Sequence, residues 1–230
     1  MDPLTVVIPL YDEVRRIGAG LDGLRRLREV WPGPVQAILV DDGSTDGTAD
    51  ALAAALGPDD RLLRAPHAGK GAALRRGVAA STGARVLLTD VDWSVAPEEA
   101  LRLAEARADV AIAVREGPGA RRLGEPAWRH HVGRAFNQLV RAAILPGYQD
   151  TQCGFKLLDG PLARSLFAAC TLDGWAIDVE LLARAERTGA RVVPVPVTWR
   201  YEPDSRVRLW RDGWTTAREV WDVRRALSGR

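Results

Sequence analysis

The chain has 230 residues, 32 basic against 30 acidic side chains for a net charge of +2, and two cysteines. That length fits one large domain, and the balanced charge removes any demand for a nucleic acid partner. Cys153 and Cys170 make no disulfide framework and point to a reducing, cytoplasmic compartment. The N-terminal MDPLTVVIPL lacks the basic leader and long apolar core of a signal peptide. No uninterrupted apolar run approaches the ~20 residues of a membrane span.

In chain order, Thr5-Val6-Val7-Ile8 reads as a first strand. Ile17, Leu21, Leu24, Leu27 and Val30 form an apolar stripe at helical spacing. Ala37 to Val40 reads as a second strand, and Thr45-Asp46-Gly47 as a turn and cap for a helix from Ala49 to Leu56. A helix around Leu74 and Val78 leads to a strand at Arg85 to Leu88, and Val110 to Val114 reads as the fourth strand. Near-continuous apolar strands alternating with helices predict a parallel sheet covered on both faces. Beyond Arg115, EGPGARRLGEPAW has the composition of a mobile loop. Trp128, Val132, Phe136, Leu139, Val140 and Ile144 then share one helical face. An extended segment at 154–158, helices at 162–169 and 179–188, and a strand at 191–197 follow. The arginine-rich tail, with Trp210, Trp214 and Trp221, reads as an amphipathic helix. It suits the surface of an anionic membrane, packing on the domain, or a homodimer contact.

In an open parallel sheet, ligands bind beyond the carboxyl ends of the strands. Three polar clusters fall there: Tyr11-Asp12-Glu13, Asp41-Asp42-Gly43-Ser44 and Asp90-Val91-Asp92. Two carboxylates ~4 Å apart repel by roughly 4 kcal/mol at an effective dielectric near ~20. A divalent cation at Asp90 and Asp92 would offset that; Mg2+ or Mn2+ suits hard oxygen ligands and completes its shell from water and substrate phosphates. Ser44 and Asp46 read equally well as turn and capping residues. Gly18-Ala19-Gly20-Leu21-Asp22-Gly23 matches GxGxxG, but Tyr11 to Ile17 separates it from its strand, against a dinucleotide fingerprint. His67-Ala68-Gly69-Lys70-Gly71 lacks the upstream glycine and the following Ser or Thr of a Walker loop. The cysteines and histidines show no zinc spacing.

The blocks VVIPLYDE, ILVDDGSTDGT, HAGKGAALRRG, LLTDVDWS, DTQCGFKLL and GWAIDVELL, from Thr5 to about Trp199, resemble the family-two glycosyltransferases. The resemblance is strongest to the dolichyl-phosphate β-glucosyltransferase and polyprenyl-phosphate mannosyltransferase branch. It implies an α/β GT-A fold, a Rossmann-like mostly parallel sheet flanked by helices. The domain would span 1–205, with a nucleotide-sugar-binding half (1–115), an acceptor half (116–205) and the helical tail (206–230). Carried over by motif, Glu13 and Asp41 would contact the nucleoside, with backbone from Pro9 to Tyr11 lining its pocket. Asp42 and Lys70 would lie near the ribose or diphosphate, Arg115 on the donor side, and Asp90 and Asp92 on the metal. Gln152 and Lys156, with Trp93 and Trp175, would line the sugar and acceptor region.

The implied reaction is inverting, from UDP-glucose or GDP-mannose, with the DTQCGFK block leaning to UDP-glucose. A polyprenyl phosphate acceptor is already ionised, since the second pKa of a phosphomonoester is about 6. An alcohol acceptor needs a base, Asp178 first and Glu180 second. Two departures bear on specificity: Asp12 replaces a common asparagine, and the bulk of Trp93 follows the second aspartate. The expected reading is transfer to a lipid phosphate at the inner face of the cytoplasmic membrane, with peripheral contact. The alternatives are a soluble small-molecule acceptor and a non-catalytic nucleotide-sugar-binding protein.

Overall fold

A computed structural model describes residues 2–202 and 218–225. Strands β1 (Leu4–Leu10) and β2 (Val35–Asp41) pair in parallel from end to end. Their unbroken apolar runs follow from cover on both faces. Alternate side chains of β1 feed opposite cores, Val6 and Ile8 on one side and Val7 on the other. Between the strands, α1 (Ile17–Val30) buries Ile17, Leu24 and Leu27, as its stripe predicts.

α2 (Thr48–Ala55), β3 (Arg61–Arg64), α3 (Lys70–Ala79), β4 (Arg85–Leu88), α4 (Glu99–Glu105) and β5 (Val110–Val114) follow. Val110–Val114 is therefore the fifth strand. β3 escapes sequence reasoning because RLLR is a four-residue edge strand with exposed arginines at both ends. The second half supplies β6 (Arg121–Leu123), α5 (Ala127–Ala143), β7 (Lys156–Asp159), α6 (Gly160–Ala169), α7 (Ile177–Arg187), β8 (Val192–Pro196) and β9 (Thr198–Arg200). Residues 218–225 form a last helix, α8.

The main sheet has seven strands in the order β3-β2-β1-β4-β7-β5-β8. Only β7 runs against the rest, pairing antiparallel with both β4 and β5. The start of β7 consequently lies at the same edge as the carboxyl ends of β4 and β5. The segment expected to be a mobile loop instead contributes β6, which pairs in parallel with β9 as a separate ribbon.

Trp93 departs from its expected place in the sugar pocket. It is only 9% exposed, takes a left-handed φ of 46°, and turns under α1, where its Nε1 donates to the Gly20 carbonyl at 2.9 Å. A Cβ on Gly23 would overlap the indole, and one on Gly20 would meet Val91. Gly20 and Gly23 of the GxGxxG string thus make room for packing rather than for a phosphate. Gly23→Ala is expected to destabilise the chain by about 1–2 kcal/mol net, since overpacking exceeds the gain in helix propensity; thermal unfolding followed by circular dichroism measures it.

α5 also differs from expectation. Its predicted apolar face is split: Val140 is buried and Phe136 and Ile144 pack against the core, whereas Trp128 is 59%, Val132 43% and Leu139 45% exposed, and Asn137 is buried beside Val140. Of the tail, Trp210 and Trp214 lie outside the described residues. In α8, Val220 and Val223 are buried in the core beneath α6 and α7 while Trp221 is exposed.

Candidate active site

The carboxyl edge holds two hollows. The first, about 430 Å³, is lined by Asp41, Gly43, Ser44, Thr45, Asp50 and Arg64 among others. The loops after β1 and β2 are stitched together beside it. Asp12, at φ 52°, donates its amide to Ser44 Oγ at 2.8 Å and accepts from the Thr45 amide at 2.8 Å. The Glu13 amide donates to Thr48 Oγ1 at 2.7 Å, and Asp46 accepts from the Thr48 amide at 3.0 Å. Ser44 and Asp46 therefore act as turn and capping residues.

Asp41 accepts from the Ser44 amide at 3.3 Å and reaches the hollow. Asp42 does not: its oxygens accept from the Ala68 and Gly69 amides at 3.0 and 2.8 Å. It anchors that loop, with His67 Nδ1 at 2.8 Å from its carboxylate. Tyr11 stacks on the His67 ring with centroids 4.1 Å apart. Pro9 is half-buried within β1, and Glu13 pairs with Arg16 at 2.7 Å, so neither lines this hollow.

The second hollow, about 260 Å³, joins the aspartates after β4 to an outer mouth on α5 and β9. Lys70 Nζ lies 2.8 Å from Asp90 Oδ1 and 5.2 Å from the Trp175 ring centroid. Asp92 Oδ1 accepts from the amide and hydroxyl of Ser94 at 3.0 and 2.9 Å. Against the effect of burial, Lys70, with Lys156 and Arg115 nearby, holds the Asp90 carboxyl below its ordinary range. Burial and the charge of Asp90 push Asp92 above its own. The protein thus offsets part of the aspartate repulsion with Lys70.

The donor set fits a divalent cation. A Cβ on Gly154 would overlap Asp90 Oδ2, so the glycine keeps that carboxylate face open, and the Asp90 side chain is 45% exposed. Among the described residues no group of three or more His, Cys, Asp or Glu is arranged to hold a metal ion by itself. A cation on Asp90 and Asp92 would complete its shell with diphosphate oxygens and water.

Lys156, expected to line the pocket, lies in its floor at 1% exposure. Its ammonium donates to Asp178 Oδ1 and the Cys153 carbonyl, each at 2.5 Å. Burial of an aliphatic stem beside a paired head leaves no part of it for a substrate. Asp178 and Gln152 do reach the hollow, as does Trp175. Glu180 does not. It points back to accept from the Thr171 and Leu172 amides at 3.0 and 2.9 Å and from Arg184 at 2.7 Å. One turn of α7 thus carries one acid that faces the site and one that supports a loop.

Arg115 is held by Asp150 in a bidentate pair at 2.7 and 2.8 Å. Despite burial, that guanidinium keeps Asp150 down at about 2. Arg115 and Arg122 lie over the Trp199 ring at 5.5 and 5.7 Å, and Arg129 over Tyr201 at 5.3 Å. Sequence reasoning missed Arg122, Arg129, Asn137, Asp150 and Trp199. Asp150 opens the DTQCGFK block and was readable there; Arg122 was hidden in loop-like composition, and Arg129 read as a surface charge of the helix that follows.

A Rossmann-like sheet carrying an Asp-X-Asp edge after β4 defines a GT-A glycosyltransferase. The profile of Glycosyl transferase family 2 matches residues 5–160, and the chain belongs to that family. It is 33% identical over 222 residues to a dolichyl-phosphate beta-glucosyltransferase of Trichomonas vaginalis, spanning 89% of this chain and 66% of that protein. It is 31% identical over 219 residues to the glycosyltransferase AglD of Haloferax volcanii, spanning 91% of this chain but 35% of that one. Against the mouse dolichyl-phosphate beta-glucosyltransferase it is 30% identical over 230 residues, spanning 90% and 70% of the two chains. The fold is shared with glucosyl-3-phosphoglycerate synthase of Mycobacterium tuberculosis, crystallised with UDP, at TM-score 0.73 and 21% identity, covering 99% of this chain and 80% of that one.

Proposed function

We propose that this glycosyltransferase moves glucose, with inversion, from UDP-glucose to a polyprenyl phosphate. The observation that carries the reading is the second hollow. At its inner end stand Asp90, Asp92 and Lys70; at its mouth Arg115, Arg122 and Arg129 lie beside Val132, Phe136, Trp199 and Tyr201. Guanidinium groups set among apolar side chains fit a phosphate carried on a hydrocarbon, although Arg115 is already paired with Asp150 and Arg122 with Glu116 and Glu125. The names of the curated relatives from Trichomonas and mouse agree with such an acceptor.

The first hollow would take the nucleoside and the second the sugar and acceptor. Asp90 and Asp92 would hold Mg2+ or Mn2+, which when bound neutralises charge on the departing diphosphate. Lys70 adds a fixed positive charge beside Asp90. The acceptor phosphate arrives ionised, so no base is required. Asp178, with one oxygen held by Lys156, orients groups in the site instead of taking a proton.

α5 would meet the membrane. Its exposed Trp128, Val132 and Leu139 sit on a helix carrying Arg129, Arg134 and Arg141 and no acidic residue, as an anionic interface favours. Among the described residues no helix is long and apolar enough to cross a membrane; the contact proposed for α5 lies at the cytoplasmic face. Burial of Trp93 removes one argument for a soluble acceptor.

The test is transfer from UDP-glucose and from GDP-mannose, with Mn2+, with and without a short polyprenyl phosphate. Glucose should move only when the lipid phosphate is present. Donor turnover indifferent to the lipid would replace this reading with a small-molecule acceptor.

A further inference from the structure

Trp175 reaches the second hollow from a turn, residues 171–176, that is gripped on three sides. From α3, the Gly71 and Ala72 amides donate to the Asp173 carbonyl at 2.7 and 3.3 Å. Arg75 donates to the Leu172 carbonyl and the Asp173 carboxylate. From α7, Glu180 holds the Thr171 and Leu172 amides. From α8, Glu219 Oε2 accepts from the Ala176 amide at 3.0 Å.

Gly69 and Gly71 on this contact are sterically required. A Cβ on Gly69 or Gly71 would overlap the Asp173 or Leu172 carbonyl, so the turn lies directly on the backbone that flanks Lys70. A Cβ on Gly174 would overlap the Glu219 carboxylate. Lys70 and the Trp175 turn are thereby one packed unit, which is how the Lys70 ammonium comes to face the Trp175 ring.

Ala176 is the N-cap of α7, and its side chain cannot cap. An acceptor with negative charge at that position satisfies an orphan amide and complements the helix dipole. Glu219 supplies both from far along the chain. It can do so because Val220 and Val223, each 2% exposed, fix α8 in the core. The helix so capped carries Asp178 in its first turn.

We propose that Glu219 is a positioning residue for the transfer reaction: its grip on the Ala176 amide sets Trp175 against Lys70 and seats the start of α7 with Asp178. The proposal goes beyond the choice of donor and acceptor and rests on the transferase reading only where activity is the readout. The simple alternative is that α8 merely packs, in which case Glu219 affects stability and nothing else.

The experiment uses the full chain and the variants Glu219→Gln, Glu219→Ala, Trp175→Ala and the double Glu219→Ala/Trp175→Ala, assayed well below their unfolding temperatures. Gln keeps an acceptor oxygen and should stay within about twofold of the parent kcat/KM. Ala should lower kcat/KM by about tenfold, since a ~1 Å displacement can cost up to ~10²-fold. The double variant should lose less than the product of the two single losses, the non-additivity of residues acting through one another, with any excess over Trp175→Ala coming from the seating of Asp178. Additive losses, or Gln and Ala behaving alike, would overturn the proposal. Hydrogen exchange at the Ala176 amide gives a second arm independent of any substrate. Exchange should accelerate in Glu219→Ala and not in Glu219→Gln; equal rates in all three proteins would overturn the proposed contact even if transfer were never detected.

Discussion

Replacing Asp90 with asparagine is expected to lower kcat by about 10²–10³-fold, the scale of losing one preorganised electrostatic contact to a developing charge, with the fold intact. The substitution preserves shape and keeps an oxygen toward Lys70. It removes the charge that would hold a cation, from the more exposed and more readily ionised of the two aspartates. It also removes the charge that raises Asp92, so the Asp92 carboxyl should fall back toward its ordinary range. Steady-state kinetics with UDP-glucose across a Mn2+ titration would show the loss and a half-activating Mn2+ concentration shifted upward. Activity within a few fold of the parent, at unchanged Mn2+ dependence, would move the cation away from this edge.

The largest effect on stability should come from Lys156→Met. Lys156 and Asp178 are 1% and 3% exposed and joined at 2.5 Å. Removing one partner of a buried pair leaves the other as an uncompensated charge, at a cost of about 3–5 kcal/mol. For a chain of this size that lowers Tm by roughly 10 °C. Lys156→Met/Asp178→Leu should recover much of the loss, because an apolar pair of similar volume carries no stranded charge. Urea or thermal unfolding of both variants separates the outcomes. If the single and double variants are equally destabilised, the penalty belongs to packing and not to charge.

Much of the carboxyl edge was legible because parallel strands advertise themselves twice, by a continuous apolar run and by the polar residues at its end. Asp41, Asp90 and Asp92 were found that way. What the sequence hid were features decided by tertiary contact. Glu180 and Asp178 stand two residues apart on one helix, and only the neighbouring turn decides that Glu180 faces away from the site. Lys156 reads as a substrate cation until its burial beside Asp178 is seen. Trp93 reads as a pocket wall because the left-handed turn that tucks it under α1 has no glycine to announce it. Arg122 was missed because it reaches Trp199 only through the pairing of β6 with β9, a contact between segments far apart in the chain.

The reversed strand β7 bears on how such enzymes can diversify. It belongs by sequence to the second half of the chain, yet it is wedged between β4 and β5 of the first. A gene exchange that joined the first 115 residues of one relative to the remainder of another would therefore put a foreign strand at the centre of the sheet, where it must match both neighbours at once. Recombination at that seam is disfavoured by packing. With the acceptor in the mouth, as proposed, new preferences would be more readily reached by substitution on α5, β6 and β9, which can change while the shared sheet stays in register.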